Sequence, residues 1–503
     1  MTRLVQVELL PLGKTLAVVP GTPLQDVLFD EGVEFPCGGR GRCKGCRVKV
    51  LSGHAPVRAE DQQALDEAEL AAGWRLACRL RAETDLRLEL AQWEAEILSD
   101  HTTFHFTPQD GLGIALDLGT TTLVGQFLDL RTGHVLGVRT ALNAQARHGA
   151  DIMSRVDFGA HGSGLASLTR LIREQIAGMI GGLLAAVPDR AGELKNIVLV
   201  GNTVMHHLFC GLRVEPLSHS PFEPEDDGLQ VFRATSLGWA LPGNPTVRFL
   251  PGLGGFVGSD ILAGILATRL HETEALVALM DLGTNGEIVV GNRERLLCAA
   301  TAAGPAFEGA RISMGMRAAT GAISEVVVRA GQLHCHVLGG GEPRGICGSG
   351  LVDAVAGGLE LGMIQPSGRL NNGPSLTVAS PVSLTQSDIR ELQLAKGAIA
   401  AGLRILARQW GATLDDITRI HLAGAFGNYI SRQSARRIGL LQVPAERIEP
   451  AGNTALLGAK LALFSLHEQD GSYVALRRQV SHVPLNADPE FQEIYVDEMH
   501  FPE

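Results

Sequence analysis

Four thiol side chains set the first constraint on this sequence. Five residues separate Cys37 from Cys43, two separate Cys43 from Cys46, and 31 separate Cys46 from Cys78. A [2Fe–2S] cluster takes four thiolates, and C-x₄-C-x₂-C with a distant fourth cysteine is one of its recurrent spacings. One extra residue in the first gap keeps that layout. Glycines at 38, 39, 41 and 45 let the backbone curl and turn its N–H groups towards sulfur. Structural zinc is the competing reading, but its ligands usually come as two tight pairs; here three cysteines are close and one is remote. The spacing therefore predicts Cys37, Cys43, Cys46 and Cys78 as iron ligands. Cys210, Cys298, Cys335 and Cys347 are scattered and read as ordinary core or surface residues.

A second chemistry lies in a repeated string. Gly113-Ile-Ala-Leu-Asp-Leu-Gly-Thr-Thr-Thr-Leu-Val recurs in outline as Leu279-Met-Asp-Leu-Gly-Thr-Asn-Gly-Glu-Ile-Val. In each, an apolar strand delivers an aspartate, Asp117 or Asp281, to a tight turn. Backbone N–H groups and hydroxyls at Gly119, Thr120, Thr121 and Thr122, and at Gly283, Thr284, Asn285 and Gly286, can surround phosphate oxygens. The aspartates can hold Mg²⁺ through water, because Mg²⁺ is usually bound by few carboxylates plus phosphates. Either string alone could be an ordinary hairpin turn; the pair makes the stronger case. His421-Leu-Ala-Gly-Ala-Phe-Gly adds an apolar strand running into Gly424 and Gly427, close enough packing for an adenine ring. Three more glycine-rich strings, 251–260, 303–311 and 345–353, contain Asp260, Glu308 and Gly348-Ser349-Gly350. The two carboxylates suit metal or water positioning in a cleft. Gly348–Gly350 open an apolar helical run whose first amides could receive an anion. Helix caps and tight turns are the alternative for all three strings.

These residues need elements to position them. Val5, Val7 and Leu9 alternate with polar residues, as a half-buried strand requires. A second strand is expected at 16–19, and a helix from Thr22-Pro-Leu-Gln, read as a capping box, to about Asp30. A strand at 47–51, a helix across 59–72 and a closing strand at Leu86, Leu88 and Leu90 follow. This order resembles the β-grasp layout of [2Fe–2S] ferredoxins. Residues 93–111 read as a linker. From 112 onwards, β-rich runs alternate with Ala/Leu/Gly-rich helical ones, an α/β pattern. The duplication implies two like lobes facing across a cleft, 112–275 and 276–503, after a ferredoxin domain at 1–92. A second internal echo pairs Gly201-Asn-Thr with Gly452-Asn-Thr. As a set, the two Asp-Leu-Gly-Thr loops, the 421–427 string and the Gly-Asn-Thr helices resemble the phosphate, adenosine and connecting motifs of the sugar kinase, actin and chaperone ATPase superfamily.

Composition excludes other classes. The net charge of −11 lacks the basic footprint of a nucleic-acid binder. The longest apolar run, 176–187, is shorter than the roughly 20 residues a membrane helix needs and reads as a buried helix. The N-terminus lacks the apolar region of a secretory signal, so a cytoplasmic protein is expected, where clustered cysteines bind metal rather than form disulfides.

A [2Fe–2S] domain ahead of this ATPase, with those glycine-rich strings, resembles the reductive activators of corrinoid proteins. That resemblance implies an α/β multidomain fold, a ferredoxin joined to a duplicated actin-like ATPase, and a homodimer. It implies ATP, Mg²⁺ and one [2Fe–2S] cluster as cofactors. The implied activity is ATP-dependent one-electron reduction of a corrinoid protein's cob(II)amide to cob(I)amide, fed by an upstream electron donor. Carried over, the four cysteines are the cluster ligands, and the two Asp-Leu-Gly-Thr loops with Gly424–Gly427 are the nucleotide site. Larger members have an extra domain where this chain has about twenty linker residues, and another branch carries C-terminal cysteine motifs that are missing after Cys347. Plant-type clusters sit near about −400 mV, and a cob(II)/cob(I) couple is expected lower. A gap of roughly 100–200 mV asks about 2–5 kcal/mol of the nucleotide per electron. The alternatives are an ATP-coupled donor to another low-potential enzyme, a small-molecule kinase with a regulatory ferredoxin and Asp260 as base, and a non-enzymatic electron carrier.

Overall fold

Side-chain alternation along the strands decides which face each residue serves, and it organises the whole chain. The computed structural model describes residues 3–10, 14–31, 33, 41, 46–90, 106–148, 152–283, 285–309, 311–316, 318, 321–371, 373–427, 429–465 and 471–503. The N-terminal unit comprises β1 (Val5–Leu10), β2 (Lys14–Val18), β3 (Thr22–Pro23), α1 (Leu24–Asp30), β4 (Arg47–Ser52), α2 (Ala59–Ala64), α3 (Glu67–Ala71), β5 (Trp74–Leu76), β6 (Arg81–Ala82) and β7 (Leu86–Leu90). Its main sheet has the order β2-β1-β7-β4-β5, with β1 and β7 parallel. Val5, Val7, Leu9, Leu86, Leu88 and Leu90 all point into one core with Leu24 and Leu28 of α1. This is the expected β-grasp.

Two local expectations change. The helix expected over 59–72 is two, because Leu65 is extended and Asp66 starts a new helix by accepting the Glu69 N–H. Thr22 does not cap α1: it pairs with Ala82, and its hydroxyl donates to the Val19 carbonyl.

The first half of the remainder contains β8 (Leu112–Leu118), β9 (Thr122–Asp129), β10 (Val135–Leu142), α4 (Ile152–Ala160), α5 (Gly164–Leu184), β11 (Leu194–Gly201), α6 (Thr203–Cys210), β12 (Gln230–Arg233), β13 (Thr246–Phe249) and α7 (Ser259–Thr268). The second half contains β14 (Val277–Leu282), β15 (Gly286–Gly291), β16 (Leu296–Thr301), β17 (Ala322–Arg329), β18 (Gln332–Val337), β19 (Gly345–Ile346), α8 (Gly348–Glu360), β20 (Ser375–Ala379), β21 (Val382–Thr385), α9 (Gln386–Trp410), β22 (Arg419–Ala423), α10 (Gly424–Gly427), α11 (Arg432–Arg437), β23 (Ile448–Gly452), α12 (Thr454–Ser465), α13 (Gly471–Gln479), β24 (Val480–His482) and α14 (Phe491–Met499).

The sheet orders β10-β9-β8-β11-β13-β12 and β23-β22-β14-β15-β16-β24 show the duplication directly. Reading one order backwards superposes β8 on β14, β9 on β15, β11 on β22 and β13 on β23. This corrects the second sequence echo. Gly201-Asn-Thr ends β11, whose mate is β22 with its Gly424 turn. Gly452-Asn-Thr ends β23, whose mate is β13, followed by Gly258-Ser-Asp. Short-range similarity had paired strings that the topology separates.

The expected run at 176–187 lies on α5 as far as Leu184, and the buried residues Leu168, Ile172, Ile176, Ile180 and Leu183 form the helix's inner stripe. Among the described residues no helix is long and apolar enough to cross a membrane. Residues 93–105 of the expected linker lie outside the described residues. Within 106–111, Phe106 packs on Phe464 with centroids 4.5 Å apart, and Gln109 donates to the Phe464 carbonyl at 2.7 Å.

Alternation then builds the cleft. Ile114, Leu116 and Leu118 of β8 join the outer core of the first lobe, and Ala278, Met280 and Leu282 of β14 join that of the second. The intervening Ala115, Val277 and Leu279 belong to a third core shared by both lobes. Asp117 and Asp281 continue this inner series, so both aspartates look inward. Helices α7 and α12 fill the space between and cross closely. A Cβ on Gly458 would stand 2.0 Å from the Ala263 carbonyl, so the glycine is what permits the approach.

Candidate functional site: a cluster domain and a carboxylate-lined cleft

The cluster site is described on one side. Cys46 ends the loop before β4, and Cys78 lies in the 3-10 turn 77–79 after β5; both are buried. The Ala77 N–H donates to the Cys46 carbonyl at 3.0 Å, so the two thiols stand at the ends of paired strands. Cys37 and Cys43 lie outside the described residues. Two buried thiols brought from opposite ends of the 31-residue gap suit a four-thiolate cluster. Of the other cysteines, Cys298 is inert: burial pushes its thiol up to about 12.

The turn 77–79 that carries Cys78 faces the second lobe. Arg79 and the segment Cys335–Val337 with Gly339–Gly341 border a cavity of about 460 Å³. Asp26 of α1 pairs with Arg344, and the fully buried Gln25 points its amide to the Ala318 carbonyl at 3.5 Å.

In the cleft, each hairpin turn is held by its own backbone. The Gly119 N–H donates to the Thr122 carbonyl at 3.1 Å, and the Gly283 N–H to the Asn285 carbonyl at 3.0 Å. Asn143 brackets the first turn, donating from Nδ2 to the Gly119 carbonyl and from its N–H to the Thr121 carbonyl. Asn202, at the start of α6, donates to Thr120 Oγ1 at 2.9 Å. Gly424 has φ +83°, and a Cβ there would lie 2.5 Å from Asp281 Oδ1. Glycine is required at this turn by backbone conformation and by space. Gly427 packs against Leu422.

Four carboxylates meet at this floor. Asp117 accepts a 2.8 Å hydrogen bond from Asn453 Nδ2, and Asn453 Oδ1 accepts the Leu456 N–H, capping α12. Asn453 thereby ties the second half of the chain to the first. Asp281 sits across the cleft, and Asp260 lies in the first turn of α7, its Oδ1 accepting the Ile261 N–H. Glu287, directly opposite Asp281 in the β14/β15 register, is the fourth. Burial raises all four. Asp117 is pushed up to about 6, moderated by Asn453; Asp281 reaches about 7, helped by the Asp117 charge; Asp260 reaches about 8, repelled by Asp281 and Asp117. Glu287 is raised well above the usual carboxylate range by burial and by Asp260 and Asp281. Such a cluster favours a bound cation. Among the described residues no three such side chains are spaced to hold a metal unaided.

The cleft thus gathers Asp117, Gly119, Thr120, Thr121, Thr122, Asp260, Asp281, Gly283, Asn285, Gly286, Gly424 and Gly427. Thr284 lies outside the described residues. Glu308 ends the 3-10 turn Pro305–Glu308; its side chain is not among the described ones. Gly348, Ser349 and Gly350 do begin a helix, α8, but they are buried behind the site. Gly348 abuts the Phe307 carbonyl, Gly350 the Ile323 carbonyl, and Ser349 Oγ donates to the Ser324 carbonyl. Phe307 in turn packs on Phe426 of the Gly424–Gly427 turn, centroids 4.6 Å apart. Sequence reading missed Glu287 and Asn453 as site residues. Strand alternation after Asp-Leu-Gly-Thr could have found the first; the Gly452-Asn-Thr string marks the second as part of a connecting motif without giving its partner.

Fold and site together define an iron–sulfur ferredoxin joined to a two-lobed nucleotide-binding unit of the actin and sugar-kinase type. Comparison with known proteins agrees along the chain. Residues 7–83 match the 2Fe-2S iron-sulfur cluster binding domain, 112–273 the RACo middle region, and 275–503 the C-terminal domain of RACo, the ASKHA domain. The chain is 36% identical over 416 residues to the corrinoid activation enzyme RamQ of Eubacterium limosum, covering 76% of this chain and 69% of that one. It is 26% identical over 421 residues to the [Co(II) methylated amine-specific corrinoid protein] reductase of Methanosarcina barkeri, covering 77% of each. The solved reductive activator for corrinoid, iron-sulfur protein superposes with a TM-score of 0.68 at 26% identity, covering 99% of this chain and 98% of that one. The chain belongs to the RACo family. A [2Fe–2S] cluster and ATP with Mg²⁺ are its cofactors.

Proposed function

We propose that this chain is an ATP-dependent reductive activase that returns the cob(II)amide of a corrinoid protein to cob(I)amide. The carrying observation is that a ferredoxin and a duplicated ATPase share one chain, with Asp117 and Asp281 opposed across the cleft between lobes joined at α7 and α12. Cys37, Cys43, Cys46 and Cys78 would hold the cluster, which would supply one-electron chemistry when bound. Residues 1–92 carry it, 93–111 link it, and the lobes 112–275 and 276–503 bind nucleotide through the two Asp-Leu-Gly-Thr loops and Gly424–Gly427. Asp117 and Asp281 would hold Mg²⁺ through water, and Asp260 would add charge at the α7 end. Asn453 and Asn202 fix the first loop, so phosphate binding is sensed directly by α12 and α6. A change in lobe angle between ATP and ADP states can then favour docking of the oxidised partner in one state and release in the other. We further infer a cytoplasmic homodimer that takes electrons from a separate donor.

The test is spectroscopic. Reduced protein mixed with a cob(II) corrinoid protein is expected to produce the cob(I) absorption band with Mg-ATP and not without it. Equal transfer without nucleotide would refute the coupling.

A further inference from the structure

We propose that Glu287 is the general base of ATP hydrolysis in this chain, a role that rests on the reading of the cleft as the nucleotide site. Its placement follows from the strand. Ile288 and Val290 of β15 face the outer core of the second lobe, while Val289 faces the shared core, so Glu287 points to the inner face. There it stands opposite Asp281 and is only 9% exposed. Among the described residues no basic side chain pairs with it.

The duplication shows that the fold does not require this carboxylate. The first hairpin, whose turn is one residue longer, sets Val124 opposite Asp117 where Glu287 stands opposite Asp281. Valine suits that half-buried strand position, and Val124 packs against the shared core. A lone carboxylate in the same place carries a desolvation cost that no ion pair offsets. A residue that is costly and structurally replaceable, set beside the phosphate loop, points to chemistry.

The neighbours have other tasks. Asp117 is held by Asn453, and Asp260 Oδ1 accepts its own helix's amide. Glu287 is anchored from behind instead: Thr301 Oγ1 donates to the Gly286 carbonyl at 2.9 Å, and a Cβ on Gly286 would meet Thr301 and Ile399. The backbone before Glu287 is therefore fixed, and its carboxylate, which among the described residues accepts only its own backbone N–H, projects from a rigid strand.

In the step, the Glu287 carboxylate takes a proton from water. The water oxygen bonds to the γ-phosphorus as the bond from that phosphorus to the β–γ bridging oxygen breaks, and ADP leaves with that electron pair. Glu287 then returns the proton to solvent, so ATP and water give ADP, phosphate and one proton.

The experiment uses the full, cluster-loaded chain, with ATP binding read by a fluorescent ATP analogue and hydrolysis by phosphate release. Glu287→Gln is expected to bind the analogue within about threefold of the parent and to hydrolyse at least about 100-fold more slowly. Glu287→Ala is expected to regain at least about tenfold of its rate in formate, which can take the proton in place of the missing carboxylate. Hydrolysis by Glu287→Gln near the parent rate overturns the proposal. So does loss of analogue binding in that variant, which would make Glu287 part of the metal–nucleotide grip, and so does absence of formate rescue. If both variants lose the parent's melting temperature and cluster absorption, Glu287 is a structural residue and the proposal fails. A parent that binds no ATP overturns the reading of the cleft itself, a result distinct from all of these.

Discussion

Asp260→Asn removes one charge from the crowded cleft and keeps the Oδ1 that accepts the Ile261 N–H. Burial, with repulsion from Asp281 and Asp117, pushes Asp260 up to about 8. In the unfolded chain an aspartate titrates near about 4. Between those values the folded state binds the extra proton, so the contribution is fully present below about pH 4 and is lost as pH rises towards 8. A shift of about four units corresponds to about 5–6 kcal/mol at most. Burial is the largest cause of that shift and the repulsion is shared with two neighbours, so the substitution is expected to relieve on the order of 2–3 kcal/mol. Asparagine stays neutral throughout. The nucleotide-free variant in EDTA is therefore expected to melt close to the parent at about pH 5 and on the order of 5 °C higher at about pH 8.5, with the gap levelling off above about pH 8. Added Mg²⁺ at high pH should raise the parent's melting temperature more than the variant's. Thermal unfolding of the cluster-loaded protein, followed by circular dichroism across this pH range, is the assay. A variant no more stable than the parent at high pH, or a gap that ignores pH, refutes the argument from buried like charges.

Cys78→Ala is expected to abolish the visible absorption of the cluster, whereas Cys298→Ala leaves iron content unchanged, because that thiol is buried in the shared core; iron analysis of both variants decides. Gly424→Ala forces a side chain into a φ of +83° and into Asp281. It should weaken ATP binding at least about tenfold, or about 1.4 kcal/mol by calorimetry. Arg344→Asp breaks the ion pair with Asp26, and because Arg344 is 58% exposed the stability change should stay below about 1 kcal/mol. Its effect should appear instead as a larger radius of gyration in small-angle scattering, with the compact value returning in the exchanged pair Asp26→Arg/Arg344→Asp. A double variant as expanded as the single one would show that this contact does not hold the ferredoxin.

The sequence by itself determined the chemistry that depends on residue type and short spacing. Three close cysteines and one remote one, with glycines between, specify an iron–sulfur loop whatever surrounds it. Two Asp-Leu-Gly-Thr strings on apolar strands specify two like lobes, because each needs a strand before and after its turn. The β-grasp strands were equally legible, since a half-buried strand writes its burial into every second residue. Tertiary structure decided what depends on distant partners. Asn453 reads as part of a Gly-Asn-Thr connecting string, and only the crossing of α12 over the first lobe puts its amide on Asp117. Glu287 reads as one polar residue in a strand until β15 pairs with β14 and α7 brings Asp260 against it. The two Gly-Asn-Thr strings look alike because both start a helix after a strand, yet strand order assigns them to different positions of the repeat. Gly348–Gly350 read as a helix start able to receive an anion, while packing against Phe307 and β17 buries them. Local spacing fixes which groups are present; burial, register and the crossing of α7 with α12 fix which of them share one cleft and how far their charges are raised.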